Sequence, residues 1–136
     1  MSPPLACAEP RQAGCTLAYS GKVKKMPTVI LITANGMGRA DIALQQTLMA
    51  KYLSLLEDQE PPPEALCFYT EGVRLVTEGS PVLAFLRQLE ARGVQLIVCK
   101  TCLDYWGITG EVRVGRVGGM TDILDAQMRA DKVITL

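Results

Sequence analysis

The first continuous run of β-branched and apolar residues in the chain is Thr28-Val29-Ile30-Leu31-Ile32-Thr33. A run of this kind, without polar alternation, is typical of a strand that is covered on both faces in a parallel sheet. Asn35-Gly36-Met37-Gly38 then breaks the run. From about Arg39 to Leu56 apolar residues recur at helical intervals, which predicts an amphipathic helix. Strand, turn and helix in this order predict the first part of a βαβ crossover.

The same alternation continues to the end of the chain. Apolar runs predict further strands at residues 65–70, 94–98 and 112–117, and a short final strand at 132–136. Ser80-Pro81 begins a predicted helix that Arg92-Gly93 ends, and another helix is predicted from about Thr121 to Ala130. The sequence therefore predicts an α/β fold, a three-layer α/β/α sandwich on a mainly parallel sheet of about five strands.

The length and the local composition indicate one domain. A chain of 136 residues is long enough to bury one core and too short for two ordinary domains. Residues 1–26 contain several prolines and glycines and no apolar periodicity, so we predict a flexible N-terminal tail there. Residues 27–136 are predicted to form the α/β domain.

Charge and composition exclude several function classes. Fourteen basic residues balance fourteen acidic ones without forming a basic stripe, so neither nucleic acid nor a membrane surface is expected as a partner. Histidine is absent, which excludes a Ser-His-Asp triad, a Cys-His dyad and a His-ligated metal within this chain. No apolar run approaches eighteen residues and no signal peptide is recognisable, so we expect neither a membrane span nor secretion.

The five cysteines do not have the spacing of a disulfide framework. Their number is odd and their intervals are irregular, which favours a reducing cytoplasm as the compartment. Cys67 lies in the middle of a predicted strand and is interpreted as a core thiol. Cys7 and Cys15 belong to the predicted tail, and the sequence suggests no partner for them.

Cys99 and Cys102 form a Cys-x-x-Cys pair where a predicted buried strand ends. Sites in parallel sheets gather at the carboxyl ends of the strands. Free backbone N–H groups at the start of a helix favour a thiolate over a thiol, and Lys100 is expected to act in the same direction. The leading hypothesis is therefore a carrier cysteine of lowered pKa that accepts a sulfur atom as a persulfide and passes it to another thiol.

Three other interpretations of this pair remain open. In the first interpretation, the cysteines are small residues that fill space in a core, as free cysteines commonly do. A thioredoxin-like dithiol is a second interpretation, although no proline follows Pro81 to stand opposite the dithiol. Structural zinc is a third, but it requires two more ligands that the sequence does not supply at suitable spacing. We predict no metal and no cofactor.

A weaker candidate site is an anion-binding turn. Asn35, Gly36 and Gly38 resemble a fragment of a phosphate loop but lack the remaining residues of a nucleotide-binding motif. Lys100 and Thr101, beside the cysteines, complete this candidate set. The alternative, a tight turn from strand to helix, is favoured.

Four segments together resemble the DsrE-like family over about four-fifths of the chain, and within that family the C-terminal domain of the YedF proteins. The segments are Thr33 to Asp41, Glu78 to Leu83, Cys99 to Tyr105 and Ala130 to Ile134.

The resemblance implies a parallel α/β/α sheet, homo-oligomers and sulfur relay with a TusA-like sulfur carrier or another persulfide donor protein. Cys99 is similar in position to the carrier cysteine of TusD-type relatives, and Cys102 to the second cysteine of the YedF variety. Selenium metabolism is also implied. The fused TusA-like domain of YedF proteins, with its Cys-Pro-x-Pro motif, is not matched, since the tail has Cys7-Ala8-Glu9-Pro10.

The sequence therefore predicts a cytoplasmic sulfurtransferase or persulfide relay protein that carries sulfur, or selenium, on Cys99 and Cys102, with Cys99 slightly favoured. Whether the chain is an enzyme stays open at this point. The alternative is a non-catalytic oligomeric scaffold or a small-anion binding module of the same fold.

Overall fold

A computed structural model describes residues 27–136. The predicted tail, with Cys7 and Cys15, lies outside this part of the chain. The described part contains one parallel sheet in the strand order β4-β3-β2-β1-β5. The strands are β1 (Thr28–Ile32), β2 (Ala65–Phe68), β3 (Gln95–Cys99), β4 (Arg116–Gly118) and β5 (Lys132–Thr135).

Helices connect the strands in sequence order. They are α1 (Ile42–Leu56), α2 (Leu83–Ala91), α3 (Lys100–Trp106) and α4 (Met120–Arg129), with 3₁₀ helices at Thr70–Val76 and Thr109–Glu111. None of the helices in residues 27–136 has the length and apolar character that a membrane crossing requires.

The helices cover both faces of the sheet. Alternate residues of a strand point to opposite faces. Accordingly, Val29 lines a cavity with Ala126 of α4, whereas the next residue, Ile30, lines a cavity with Tyr52 of α1. The predicted three-layer α/β/α sandwich with a parallel sheet of five strands is confirmed.

The core lies where these layers meet the central strands. Every residue of β2 is buried, as its position in the middle of the sheet requires. Met49 and Leu53 of α1 and Ile123 of α4 are buried as well, from the two helical layers. The continuous apolar runs in the sequence are explained by this burial on both faces.

The fourth strand differs from its prediction at residues 112–117. Val112 makes only an isolated antiparallel bridge with Thr77, and the chain joins the sheet at Arg116. Gly115 explains the shift because its φ of 83° lies in the left-handed region and turns the chain just before the strand. An added Cβ on Gly115 would lie 2.9 Å from the Cβ of Leu96, so no side chain fits there.

Three segments leave the carboxyl edge of the sheet side by side. The turn at residues 33–41 follows β1, the 3₁₀ helix Thr70–Val76 follows β2, and α3 follows β3 directly. The segment between the second predicted strand and Ser80, for which the sequence predicts no helix, contains this 3₁₀ helix. Since β1, β2 and β3 are neighbours, their parallel arrangement brings the residues after them to one place.

Candidate functional site

The two cysteines of the Cys-x-x-Cys pair differ in exposure. Cys99 is the last residue of β3 and is buried, with 1% of its surface exposed. Cys102 lies in the first turn of α3 and is partly exposed. The two thiols interact, and this interaction raises the pKa of Cys102. The sequence therefore located the pair correctly, but its preference for Cys99 as an exposed carrier does not fit this burial, and Cys102 is the accessible sulfur.

Thr70, at the end of β2, contributes a donor to the Cys102 sulfur. Its backbone N–H donates to Cys102 Sγ over 3.1 Å. Its hydroxyl donates to the carbonyl oxygen of Thr33 over 2.5 Å and lies 2.6 Å from the carbonyl oxygen of Tyr69. Thr70 has a φ of 50°, which is rare for a β-branched residue. The hydroxyl contacts hold the residue in this backbone conformation and so aim its N–H at the sulfur.

Gly72 keeps the segment after Thr70 close to β1. An added Cβ on Gly72 would lie 2.0 Å from the carbonyl oxygen of Ile32, the last residue of β1. Any side chain would therefore force the 3₁₀ helix away from the sheet. The close approach fixes the position of Thr70, two residues earlier.

Burial raises the pKa of the Cys102 thiol, and its interaction with the Cys99 thiol acts in the same direction. The N–H of Thr70 lowers this pKa but does not outweigh the other causes. The expected thiolate of lowered pKa is therefore not found. The free N–H groups at the start of α3 and the Thr70 donor are insufficient because a second thiol and a partly buried position oppose them.

Lys100 is engaged with another residue of α3. Its Nζ lies 2.7 Å from Asp104 Oδ2, and Thr109 donates a hydrogen bond to the other oxygen of this carboxylate over 2.8 Å. These two contacts lower the pKa of Asp104. Lys100 and Thr101 are both exposed.

The turn after β1 packs against α1. The N–H of Met37 donates to the carbonyl oxygen of Gln45, and Gln45 Nε2 donates to the carbonyl oxygen of Gly38, both over 2.9 Å. An added Cβ on Gly36 would lie 2.5 Å from Gln45 Cβ. These contacts account for both glycines as parts of a tight turn.

Asn35 differs from the rest of this turn because it lines a cleft of about 220 Å³ at the carboxyl edge. Arg74, Thr77, Glu78, Ser80 and Glu111 line the same cleft. The Arg74 guanidinium lies 4.7 Å from the centre of the Trp106 ring, over its face. The sequence analysis missed Arg74, since no local pattern links it to Trp106 on a different element.

Cys67 lies in the core, as predicted. It is fully buried in β2, and burial raises its pKa to about 11 despite the opposing charge of Arg116. Within residues 27–136, no three Cys, Asp or Glu side chains lie together in a way that would hold a metal ion.

Comparisons with known proteins agree with this fold. The chain is similar to the YchN protein of E. coli, with 22% identity and a TM-score of 0.64 over 82% of this chain and 100% of that one. It is also similar to MTH1491 of Methanobacterium thermoautotrophicum, with 19% identity and a TM-score of 0.62 over 82% of this chain and 100% of that one. At these identities the likeness concerns the fold. A search of curated proteins found no match.

The family assignment rests on a sequence model rather than on these structures. The model of the DsrE/DsrF-like family matches residues 26–136, which includes all the described strands and helices. The match covers far more than half of the chain and agrees with the four segments that carry the resemblance. The chain belongs to the DsrE/DsrF-like family.

Proposed function

We propose that the protein relays sulfur as a persulfide on Cys102. The DsrE-like family is associated with sulfur relay in general. The observation that carries the proposal is the partly exposed Cys102 thiol at the carboxyl edge of the sheet. Its sulfur accepts a hydrogen bond from the Thr70 N–H. This donor stabilises negative charge on the sulfur, the form in which a thiol reacts and a persulfide is held.

The reaction at Cys102 is a thiol exchange without net oxidation. The Cys102 sulfur attacks the outer sulfur of a donor persulfide, R–S–SH, and the bond between the two donor sulfurs breaks. The donor leaves as a thiolate and takes up the proton that Cys102 loses. The products are R–SH and a Cys102 persulfide. Because the Cys102 pKa is raised, loss of this proton is expected to limit the rate near neutral pH.

Cys99 is proposed as a second thiol beside Cys102 rather than as its activator, because the interaction of the two thiols raises the Cys102 pKa. The burial of Cys99 makes it a poor first acceptor for a donor protein. The donor is proposed to be a TusA-like carrier or another persulfide donor protein, and the same chemistry applies to selenium. A homo-oligomer in the cytoplasm is the proposed state; exposed apolar side chains such as Leu124 and Met128 on α4 support association, and sedimentation tests it.

A persulfide-trapping experiment tests the relay. The full chain is incubated with a persulfide donor, and each cysteine peptide is examined for added sulfur by mass spectrometry. Cys102→Ser is expected to abolish the major adduct, and Cys99→Ser to retain it. Cys67→Ala, which alters a buried core thiol, is the matched control and should keep the adduct. An unchanged adduct in Cys102→Ser would overturn the proposal.

The raised pKa of Cys102 favours a second candidate, a non-catalytic scaffold or anion-binding module. In that case the thiol is an ordinary packing residue at the site. Iodoacetamide labelling of the native protein separates the two candidates. Labelling of Cys102 within minutes to hours at pH 8 supports the relay, whereas a thiol that reacts only after unfolding supports the scaffold.

A further inference from the structure

Arg74 is a charged side chain without a charged partner in the described part of the chain. Within residues 27–136 no carboxylate lies within ion-pair distance of its guanidinium, which makes no hydrogen bond to a described residue. Its one described contact is the face of Trp106. The residue is half-buried in the cleft, unlike surface arginines such as Arg87. A guanidinium stacked on a ring keeps its N–H groups available at its edges for an anion.

The Asn35 side chain is a second unused donor in the same cleft, since it has no hydrogen-bond partner among the described residues. The Glu78 carboxylate is paired with Arg113 over 2.6 Å, so its charge is compensated. Glu111 remains as an exposed carboxylate that opposes an anion. Among residues 27–136, the cleft therefore has one cation and one amide without a polar partner, and a single uncompensated acidic side chain at its border.

Two elements connect the residues of the cleft to the reactive sulfur. The 3₁₀ helix that places Thr70 at Cys102 also places Arg74 at Trp106. On α3, Cys102 and Trp106 are four residues apart and therefore share one face of the helix. Trp106, on which Arg74 stacks, thus lies about one helical turn, ~6 Å along the helix axis, from Cys102.

We propose that Arg74, with Asn35, binds the carboxylate of a small thiol acid that takes sulfur from the Cys102 persulfide. This inference rests on the proposed function and names the class of the acceptor. The acceptor thiolate attacks the outer sulfur of the persulfide, the bond between that sulfur and Cys102 Sγ breaks, and Cys102 leaves as a thiolate. The acceptor becomes R–S–SH, so atoms and charge balance without an oxidant. The cleft of about 220 Å³ accommodates a molecule of this size.

The charge preference of Cys102 alkylation tests the subsite without requiring a persulfide. Iodoacetate carries a carboxylate and iodoacetamide does not, so the ratio of their rates at Cys102 reports the local anion affinity. Arg74→Gln is expected to lower this ratio at least fivefold, and Glu111→Gln to raise it about twofold. Arg87→Gln makes the same change of net charge on the exposed side of α2 and should leave the ratio unchanged. Equal ratios in wild type and Arg74→Gln would overturn the subsite.

The second arm uses the protein with its Cys102 persulfide preformed. Sulfur transfer to mercaptoacetate is compared with transfer to 2-mercaptoethanol, which lacks the carboxylate. Arg74→Gln should reduce the first rate relative to the second at least fivefold, and Arg74→Lys less. If the protein forms no persulfide, the proposed relay is wrong. The alkylation ratios still test the subsite in that case. A changed alkylation ratio with an unchanged transfer ratio would overturn the acceptor assignment.

Discussion

The backbone N–H of Thr70 lies 3.1 Å from the Sγ of Cys102, although the two residues are 32 positions apart in the sequence. The contact joins the end of β2 to the first turn after β3. It makes the sulfur part of a structure assembled from three neighbouring strands, since Thr70 is held in turn by Thr33 after β1.

The left-handed backbone of Thr70 predicts an unusual order of stability between two substitutions. Thr70→Ala and Thr70→Gly both remove the hydroxyl contacts with Thr33. At a φ of 50°, alanine keeps a steric cost of about 1–2 kcal/mol that glycine lacks. This exceeds the entropic disadvantage of glycine, about 0.5–1 kcal/mol. Urea unfolding should show the glycine variant to be more stable by about 1 kcal/mol, and the reverse order would refute the left-handed conformation.

The close approach of Gly72 to Ile32 predicts that Gly72→Ala is severely destabilising. The added methyl group would lie 2.0 Å from a backbone carbonyl oxygen, which no side-chain rotation relieves. We expect a loss of about 3 kcal/mol or more in the free energy of unfolding. Gly110→Ala is the matched control, because nothing lies within 4 Å of its added Cβ. Similar losses in the two variants would contradict the packing of the 3₁₀ helix on β1.

The buried thiol of Cys67 predicts a loss of stability at alkaline pH. Its pKa is about 11 in the folded protein and 9.0 for an ordinary thiol. Between these values the unfolded chain loses the proton while the folded protein keeps it, so stability decreases as the pH rises. The decrease is about 2 kcal/mol at pH 11. Urea unfolding from pH 8 to 11 should show a shallower decline in Cys67→Ala, and parallel declines would contradict this assignment.

The raised pKa of Cys102 predicts how its alkylation depends on pH. Burial and the Cys99 thiol keep Cys102 protonated near neutral pH. Its rate with iodoacetamide should therefore increase about tenfold per pH unit from pH 7 to 9, because the thiolate is the reacting form. Cys99→Ser should move the curve to lower pH, because it removes the thiol that raises the Cys102 pKa. A plateau below pH 8 in the wild type would instead indicate an activated thiolate.

The ion pair of Lys100 with Asp104 predicts that Lys100 has little influence on the sulfur. Its ammonium group is held 2.7 Å from the carboxylate at an exposed position. Lys100→Met should change the iodoacetamide rate of Cys102 by less than twofold at pH 8. Asp104→Asn, which removes the carboxylate that holds the lysine, is measured in the same way. A large decrease in Lys100→Met would show that the lysine acts on Cys102 directly.

The cysteine pair shows which properties of a site local sequence patterns predict and which they do not. The apolar run before Cys99 predicted a buried strand, and the strand end placed the Cys-x-x-Cys at the carboxyl edge, where it is found. The same pattern did not reveal that Cys99 points into the core. Nor did it reveal that its thiol contacts Cys102 and raises its pKa. Exposure and pKa depend on what packs around a side chain, and those neighbours come from β2 and the segment after it.

The sequence by itself determined the alternation of strands and helices, the parallel sheet and the edge at which the cysteines lie. Hydrophobic periodicity, glycines and prolines act within a few residues and therefore can be recognised in one dimension. Only the tertiary structure decided that Thr70 donates to Cys102 and that Arg74 stacks on Trp106. These contacts join residues far apart in the chain, and their geometry follows from the packing of the 3₁₀ helix against β1 and α3.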